Sequence, residues 1–540
     1  MTTAKQAAER LADSFDVDVH EGAAGSRPSQ ATQLVDMALT AVSLWHSDEG
    51  DPFATMKVKG HHENWPLRSK QFRNFLDYTF FRSHGKVVNS QARQGAIDTL
   101  SGLALFESPE HAVHTRIAEE GGYLYLDLGN AGWEVVKIGP EGWVVTIDPP
   151  VKFRRPNSTK PLPMPIHGGS LDGIRRFLNL GSDSDWSLVK AWLVQSVFAI
   201  GPFVILILAG EAGTAKSTTA LVLKVCVDPT TAPLRSPARN EHDLVIAARN
   251  SQVIAFDNLS YLSGTQSDAL CRLATGGGLG TRQLFTDAEE SLFDVQRPII
   301  LNGITDLAHR GDLLDRCIPI TLPVIDEDER RDEEVFWHDF TQAHPTILGG
   351  LLDTVAGALK ELPGVKLDRL PRMADFARRA VAAERGQGLG DGSFMAAYAK
   401  NRAGANDTAL EASPVAGSIV DFMASREKWA GTATVLLAAL DSLVGETKSK
   451  RKGWPVDGAQ LGKILRRIAP NLRRAGTDVQ FDTPKRRTIT VRKGRDFADT
   501  TDMPSQEPQE DGATGVDGHD SDVSNDSEIH NLSNEEVLEF

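Results

Sequence analysis

The hydrophobic pattern changes period several times along the chain, and each change marks an element. Phe203-Val204-Ile205-Leu206-Ile207-Leu208-Ala209 is an unbroken apolar run stopped by Gly210, the pattern of a strand buried on both faces. Val253-Ile254-Ala255-Phe256, Pro298-Ile299-Ile300-Leu301 and Ile318-Pro319-Ile320-Thr321-Leu322 read the same way. Upstream, helical spacing over residues 69–83 and 91–101 precedes three runs bounded by Gly or Pro, residues 122–128, 133–138 and 143–147, which predicts a small α/β domain. Residues 191–210 carry no charge, but Gly201-Pro202 divides them into a helix and the strand that follows, so a core and not a membrane span is expected. Residues 326–385 read as a helical stretch of mixed charge. Further on, residues 415–425 and 433–444 suit helices. Residues 459–468 place Leu461, Ile464, Leu465 and Ile468 on one helical face and Lys463, Arg466 and Arg467 on another. Pro470 is expected to close that helix, with strands at 479–481 and 487–491 flanking Pro484-Lys485-Arg486.

Length and charge refine this division. A chain of 540 residues exceeds one core. The pattern divides it into a helical, partly disordered segment (1–60), an α/β domain (61–180), a core around the apolar strands (181–325), a helical region (326–412), a basic module (413–493) and an acidic disordered tail (494–540). The net charge of −15 argues against a nucleic-acid partner only until it is resolved along the chain. Residues 494–540 hold 14 Asp and Glu against Arg495 alone, whereas residues 446–493 hold 14 Lys and Arg against four acids. The tail could shield the basic module as an internal mimic of DNA, or serve solubility or partner docking. Cys226, Cys271 and Cys317 are widely spaced and fit core thiols of a reducing compartment, with no disulfide framework or zinc site. Residues 1–32 are polar and Ala-rich without the pattern of a leader peptide, so a cytoplasmic location is expected. His61-His62-Glu63 reads as surface, and Arg154-Arg155 with Lys160 as a solvated loop in preference to a nucleic-acid contact.

The chemistry begins at Gly210-Glu211-Ala212-Gly213-Thr214-Ala215-Lys216-Ser217-Thr218, between an apolar strand and a helix. A Gly-rich turn in that place lets successive backbone N–H groups face nucleotide phosphates, helped by the positive end of the next helix. Lys216 then meets the β- and γ-phosphates of ATP and Ser217 a Mg²⁺ ion. The usual pattern has Gly where Ala215 stands. Asp257, at the tip of the second apolar strand, is placed to hold the same Mg²⁺, and Asn302, at the tip of the third, to orient attacking water. Arg310 and Arg316 precede the fourth strand, from where an arginine can reach the phosphates of a neighbouring subunit.

This order of motifs resembles the AAA+ fold over roughly residues 186–323, and in particular superfamily-3 helicases and related phage and plasmid primase-helicase ATPases. The stretch from Ala274-Thr275-Gly276-Gly277-Gly278 to Thr286-Asp287 looks like that family's hairpin before the third strand, which projects towards DNA. The resemblance implies a multidomain α/β protein with a P-loop core on a parallel sheet and a C-terminal winged helix. Its DNA contacts would come from Lys463, Arg466, Arg467, Lys485, Arg486 and Arg487. It also implies ATP and Mg²⁺ as cofactors, single- or double-stranded DNA as partner, no membrane, and a homo-oligomeric ring that could be a hexamer. The activity implied is that of an ATPase serving as replicative helicase or initiator of a phage or mobile element. Two residues depart from the pattern. Asn258 stands where a second carboxylate usually follows Asp257, and the hairpin tip, Asp287-Ala288-Glu289-Glu290, is acidic. Both favour a competing reading: a nucleotide-gated DNA-binding regulator or defence switch that binds ATP without unwinding. No cluster of carboxylates in the N-terminal part marks a primase site.

Overall fold

In the computed structural model, residues 28–494 are described except 239, 283–289, 294, 304–310, 391, 412, 446–453 and 483–487, and except the side chains of 279–282 and 290–293. The acidic tail, the hairpin tip, Arg310 and the Lys485-Arg486-Arg487 cluster therefore lie outside the described residues.

The chain opens with α1 (Gln30–Ala41), whose N-cap Ser29 accepts from Thr32 N, followed by β1 (Val42–Ser47), β2 (Pro52–Val58) and β3 (His61–Pro66). The helical expectation for residues 1–60 is therefore wrong from residue 42 onward. Phe53 to Met56 of β2 are all buried, so this strand loses the alternation that would betray it, whereas β1 and β3 keep exposed positions. Helices α2 (Lys70–His84) and α3 (Ser90–Phe106) pack on one face of this sheet, which β4 (Glu110–His111) joins in parallel with β1. After β5 (Val113–His114), a second antiparallel sheet follows in chain order: β6 (Ile117–Glu120), β7 (Tyr123–Asp127), β8 (Val135–Gly139) and β9 (Gly142–Thr146). Strand β10 (Lys152–Phe153) pairs with β5. Arg154 and Arg155 are not solvated here: Arg154 donates to Arg249 O, and Arg155 to both carboxylate oxygens of Asp127. His61, with a side chain only 12% exposed, pairs with Glu63.

Helix α4 (Asp183–Ser196) leads to β11 (Ile205–Ala209), α5 (Lys216–Val227), β12 (Leu234–Arg235), α6 (Glu241–Asn250) and β13 (Ile254–Leu259). Then come α7 (Gly264–Thr275), the hairpin β14 (Leu279–Arg282) and β15 (Glu290–Phe293), β16 (Ile299–Gly303), α8 (Gly311–Leu314) and β17 (Cys317–Thr321). Five of these strands form an all-parallel sheet in the order β12-β13-β16-β11-β17. Every residue of β11 and β16 is buried, as the unbroken apolar runs require. The three cysteines are buried and form no disulfide. Helices α9 (Glu333–Glu361), α10 (Ala374–Gly386) and α11 (Ser393–Glu411) complete this part.

The last segment runs α12 (Pro414–Met423), β18 (Lys428–Thr432), α13 (Ala433–Val444), α14 (Gly458–Arg474), β19 (Thr477–Phe481) and β20 (Thr488–Lys493), with a sheet in the order β18-β20-β19. Pro470 does not close α14 but lies inside it. Burial of Leu461, Leu465, Ile468, Ala469 and Leu472 along one face offsets the hydrogen bond that proline cannot donate. Trp454 is a core residue of this segment, 7% exposed, with Nε1 donating to Asp441 Oδ1 at 2.8 Å.

Candidate nucleotide site

The loop between β11 and α5 is shaped by its backbone. Gly210 has φ +152°, and a Cβ there would lie 2.7 Å from Thr214 Oγ1 and 3.0 Å from Leu322 O, so only glycine fits. Thr214, 1% exposed, closes the turn by donating to Glu211 O at 3.0 Å. Asn179 braces it from outside, its Nδ2 donating to Thr214 O at 3.1 Å and to Pro323 O at 2.7 Å. Ala215 sits at the N-cap of α5 with φ 56° and ψ 33°. This left-handed conformation is what the usual glycine supplies without strain.

Lys216 opens the helix, and its Nζ donates to Gly210 O at 2.9 Å and to Glu211 O, which holds the ammonium over the loop. The first turn of α5 contains no acidic residue, so its positive end is not neutralised from within. Ser217 Oγ donates to Asp257 Oδ1 at 2.8 Å. The loop hydroxyl and the carboxylate at the tip of β13 thus meet, although β16 separates their strands in the sheet. Glu211, Ala212, Gly213 and Ser217 are exposed, and Lys216 and Thr218 are partly buried.

Asp257 and Asn258 lie on an irregularity of β13, where the register with β16 shifts between Phe256 and Leu259. Asn258 has φ 57°, a conformation that asparagine tolerates better than other non-glycine residues. Its N–H donates to Asn302 Oδ1 at 2.7 Å. Asn302 is 1% exposed, and its Nδ2 has no hydrogen-bond partner among the described residues. A buried amide donor without a partner costs about 1–3 kcal/mol unless a ligand or water accepts from it.

The structure brings Lys216, Ser217, Asp257 and Asn302 to the carboxyl ends of β11, β13 and β16. It does not bring Arg316 there. Arg316 precedes β17, and its carbonyl accepts from Ile205 N at the opposite end of the sheet. A five-residue strand separates the ends by about 16 Å. Its Nη1 donates to Asp312 O at 2.9 Å. Sequence reading missed Asn179 and Arg330. The Arg330 guanidinium lies 3.8 Å from where a Cβ on Gly213 would sit, within reach of the loop. No local motif marks either residue.

Lys463, Arg466 and Arg467 are exposed on α14, with the Arg466 guanidinium 5.1 Å from the Phe481 ring centre. Their neighbours Arg473 and Arg474 are engaged by Asp478 and Asp315. Among the described residues no group of three or more His, Cys, Asp or Glu could hold a metal, and no helix is long and apolar enough to cross a membrane.

Residues 171–407 match the family model of the actinomycete integrative conjugative element replication protein, and residues 415–506 match that of its C-terminal domain. No curated protein sequence matches the chain. Similar solved structures include the NrS-1 C-terminal region, at 14% identity over 87% of this chain and 100% of that one, with a TM-score of 0.39. SCCmec type IV Cch, described as an active helicase, shares 14% identity over 84% of this chain and 93% of its own, with a TM-score of 0.44. The JCV helicase shares 11% over 38% of this chain and 61% of its own, with a TM-score of 0.21. The family matches connect the chain with the replication of a mobile element.

Proposed function

We propose that the chain is an AAA+ ATPase of the superfamily-3 type acting on DNA, a replicative helicase or initiator of an integrative conjugative element. The observation that carries this reading is the Ser217–Asp257 contact beneath the loop that holds Lys216, on a five-stranded parallel sheet with β11 between β16 and β17. Bound Mg²⁺·ATP would supply an electrophilic γ-phosphorus. The residues present fit it. Two protein oxygens suit an ion that keeps several waters and takes the rest of its ligands from phosphates. Backbone N–H groups of residues 213–217, with Lys216, would hold the phosphate chain, and the unpartnered Nδ2 of Asn302 would hold attacking water or a phosphate oxygen. Arg330 would add positive charge from the same chain and Arg316 from a neighbour in a ring. The α12-β18-α13-α14-β19-β20 order fits a winged helix, with Lys463, Arg466 and Arg467 of α14 facing the DNA backbone and the sequence cluster Lys485, Arg486 and Arg487 as further phosphate contacts.

A second reading is favoured by Asn258, exposed where a base carboxylate usually stands. It is a regulator that binds ATP and DNA without unwinding. Steady-state ATP turnover with and without single-stranded DNA separates the two, together with strand displacement on a forked duplex. The helicase reading expects turnover stimulated by DNA, lost in Lys216→Ala, and displacement that needs ATP. ATP binding without turnover or displacement would favour the regulator, and no ATP binding would overturn both.

A further inference from the structure

The first sheet is covered by helices on one face only. On its other face the alternation of side chains brings Trp45 of β1, Phe53, Thr55 and Lys57 of β2, and His62 and Asn64 of β3 to one side. That face forms the floor of a cleft of about 520 Å³, whose opposite wall comes from residues 133–153. The cleft lies outside the segments matched by the family models.

The floor is polar and ordered. Trp45 Nε1 donates to Thr55 Oγ1 at 2.8 Å, Thr55 Oγ1 donates to Asn64 Oδ1 at 2.7 Å, and Asn64 Nδ2 reaches Phe153 O at 3.3 Å. Above it stands Lys152, partly buried, with one long hydrogen bond to Thr55 Oγ1 at 3.4 Å. An ammonium has three donors to place. Neither Lys152 nor Lys57 has a carboxylate within ion-pair distance among the described residues. Burial lowers the Lys152 pKa, and the negative charge of Asp148 on the same cleft opposes the shift without cancelling it. The acid on the cleft wall, Asp148, is 78% exposed and engaged by His62 Nδ1 at 3.2 Å.

The far wall adds an aromatic under strain. Trp133 lines the cleft with φ 52°, an outlier for a bulky side chain that costs about 1–3 kcal/mol and persists only where its surroundings hold it. They do hold it: the Arg155 guanidinium stacks 3.9 Å from the indole centre and is itself clamped by the fully buried Asp127. An indole lining the same cleft as two ammonium groups, one of them 5.8 Å from the Trp45 ring centre and neither in an ion pair among the described residues, is the chemistry of a nucleotide unit, base against ring and phosphate against cation.

We propose that this cleft binds a nucleotide unit of single-stranded DNA, its phosphates at Lys57 and Lys152 and a base against Trp133, as a contact separate from α14. The chemistry assigns a nucleotide; its source as DNA rests on the functional reading above. The test uses the full chain and fluorescence anisotropy with a labelled oligothymidylate of about 20 nucleotides. The variant is Lys57→Ala with Lys152→Met, the latter keeping an apolar stem in the wall. The expected result is an affinity lowered roughly tenfold and a salt dependence shallower by about 1.4 units, since each of the two single-strand phosphate contacts contributes about 0.7. Melting temperature and ATP binding should be unchanged. Trp133→Leu should weaken binding without changing the salt dependence. If thymidine monophosphate, tested as competitor, displaces the strand at micromolar concentration, the source is a free nucleotide and the strand assignment falls. Equal affinity of variant and parent overturns the cleft while leaving DNA binding through α14 intact. A parent that binds duplex but no single strand also overturns the cleft alone. Binding to neither DNA overturns the functional reading as well.

Discussion

Arg474 Nη2, in the last turn of α14, lies 2.8 Å from Asp315 Oδ1, the carboxylate immediately before Arg316. Arg402 of α11 bonds the same oxygen, and Arg372 approaches Oδ2 at 3.8 Å. One carboxylate, 8% exposed, therefore ties the basic C-terminal segment and the helical region to the edge of the five-stranded parallel sheet. Asp315→Ala leaves guanidinium groups facing one another without a counter-charge and should cost about 2–4 kcal/mol. Arg474→Ala, removing a side chain 43% exposed, should cost no more than about 1 kcal/mol. Thermal unfolding of the two variants checks the difference, and equal small shifts would show that Asp315 is not the hub.

Ala215 gives a prediction of opposite sign. Its left-handed backbone costs an L-residue about 1–2 kcal/mol, whereas glycine adopts it freely. Ala215→Gly should therefore stabilise the protein by up to about 1 kcal/mol after the greater freedom of the unfolded glycine is counted. Its ATP affinity should stay the same or rise. Ala215→Val should abolish nucleotide binding, because a β-branched residue resists positive φ. Denaturant unfolding and ATP titration read both effects.

How much of this was legible beforehand depended on whether the cause was local. The strand, the loop and Lys216-Ser217 follow from a contiguous apolar run and the residues just after it. The irregularity at Asn258 leaves one trace in the sequence, the asparagine itself, which fits a missing carboxylate as well as a residue suited to positive φ. Strand β2 is illegible because burial of the four successive residues Phe53 to Met56 removes alternation. Pro470 was misread because tertiary burial of one helix face outweighs a local rule. The gathering of Arg372, Arg402 and Arg474 on Asp315 has no sequence signal at all, being made by three separate elements. The same holds for Lys152 and Trp133 facing the first sheet across a cleft.

Asn302 separates binding from turnover. Asn302→Ala removes the acceptor of Asn258 N–H and the amide proposed to meet the γ-phosphate, so it should lower ATP turnover by about 10²-fold while changing ATP affinity little. Asn302→Asp keeps the acceptor but adds a negative charge beside the phosphates, and should impair affinity as well. Similar turnover in parent and Asn302→Ala would leave Asn302 a purely structural support of the β13 irregularity.

Arg316 lies at the end of the sheet away from its own loop, so any role it has in ATP turnover must be exerted on a neighbour. Lys216→Ala and Arg316→Ala should each be inactive alone. Mixed oligomers should recover part of the turnover, because some interfaces pair an intact loop with an intact arginine. No recovery in oligomers shown to be mixed would make Arg316 structural.

The buried His344 and the partly buried His114 contribute to the response to acid. Burial pushes the pKa of His344 and of His114 down from 6.5 to about 4, and Arg297 adds to the effect at His114. His344 is 6% exposed, and in its neutral form donates from Nε2 to Cys226 O at 3.3 Å beside Phe340. With folded values below the unfolded one, the unfolded chain binds more protons between pH 6.5 and 4. The stability from the neutral imidazoles is therefore complete above pH 6.5 and is lost as the pH falls towards 4. Each histidine should remove up to about 1.4 kcal/mol per pH unit within that window. His344→Gln keeps a donor for Cys226 O but cannot titrate, so urea unfolding between pH 7 and 5 should show its slope reduced by one histidine's share. A slope equal to that of the parent would mean that His344 is protonated in the folded protein, and that the space around it admits water.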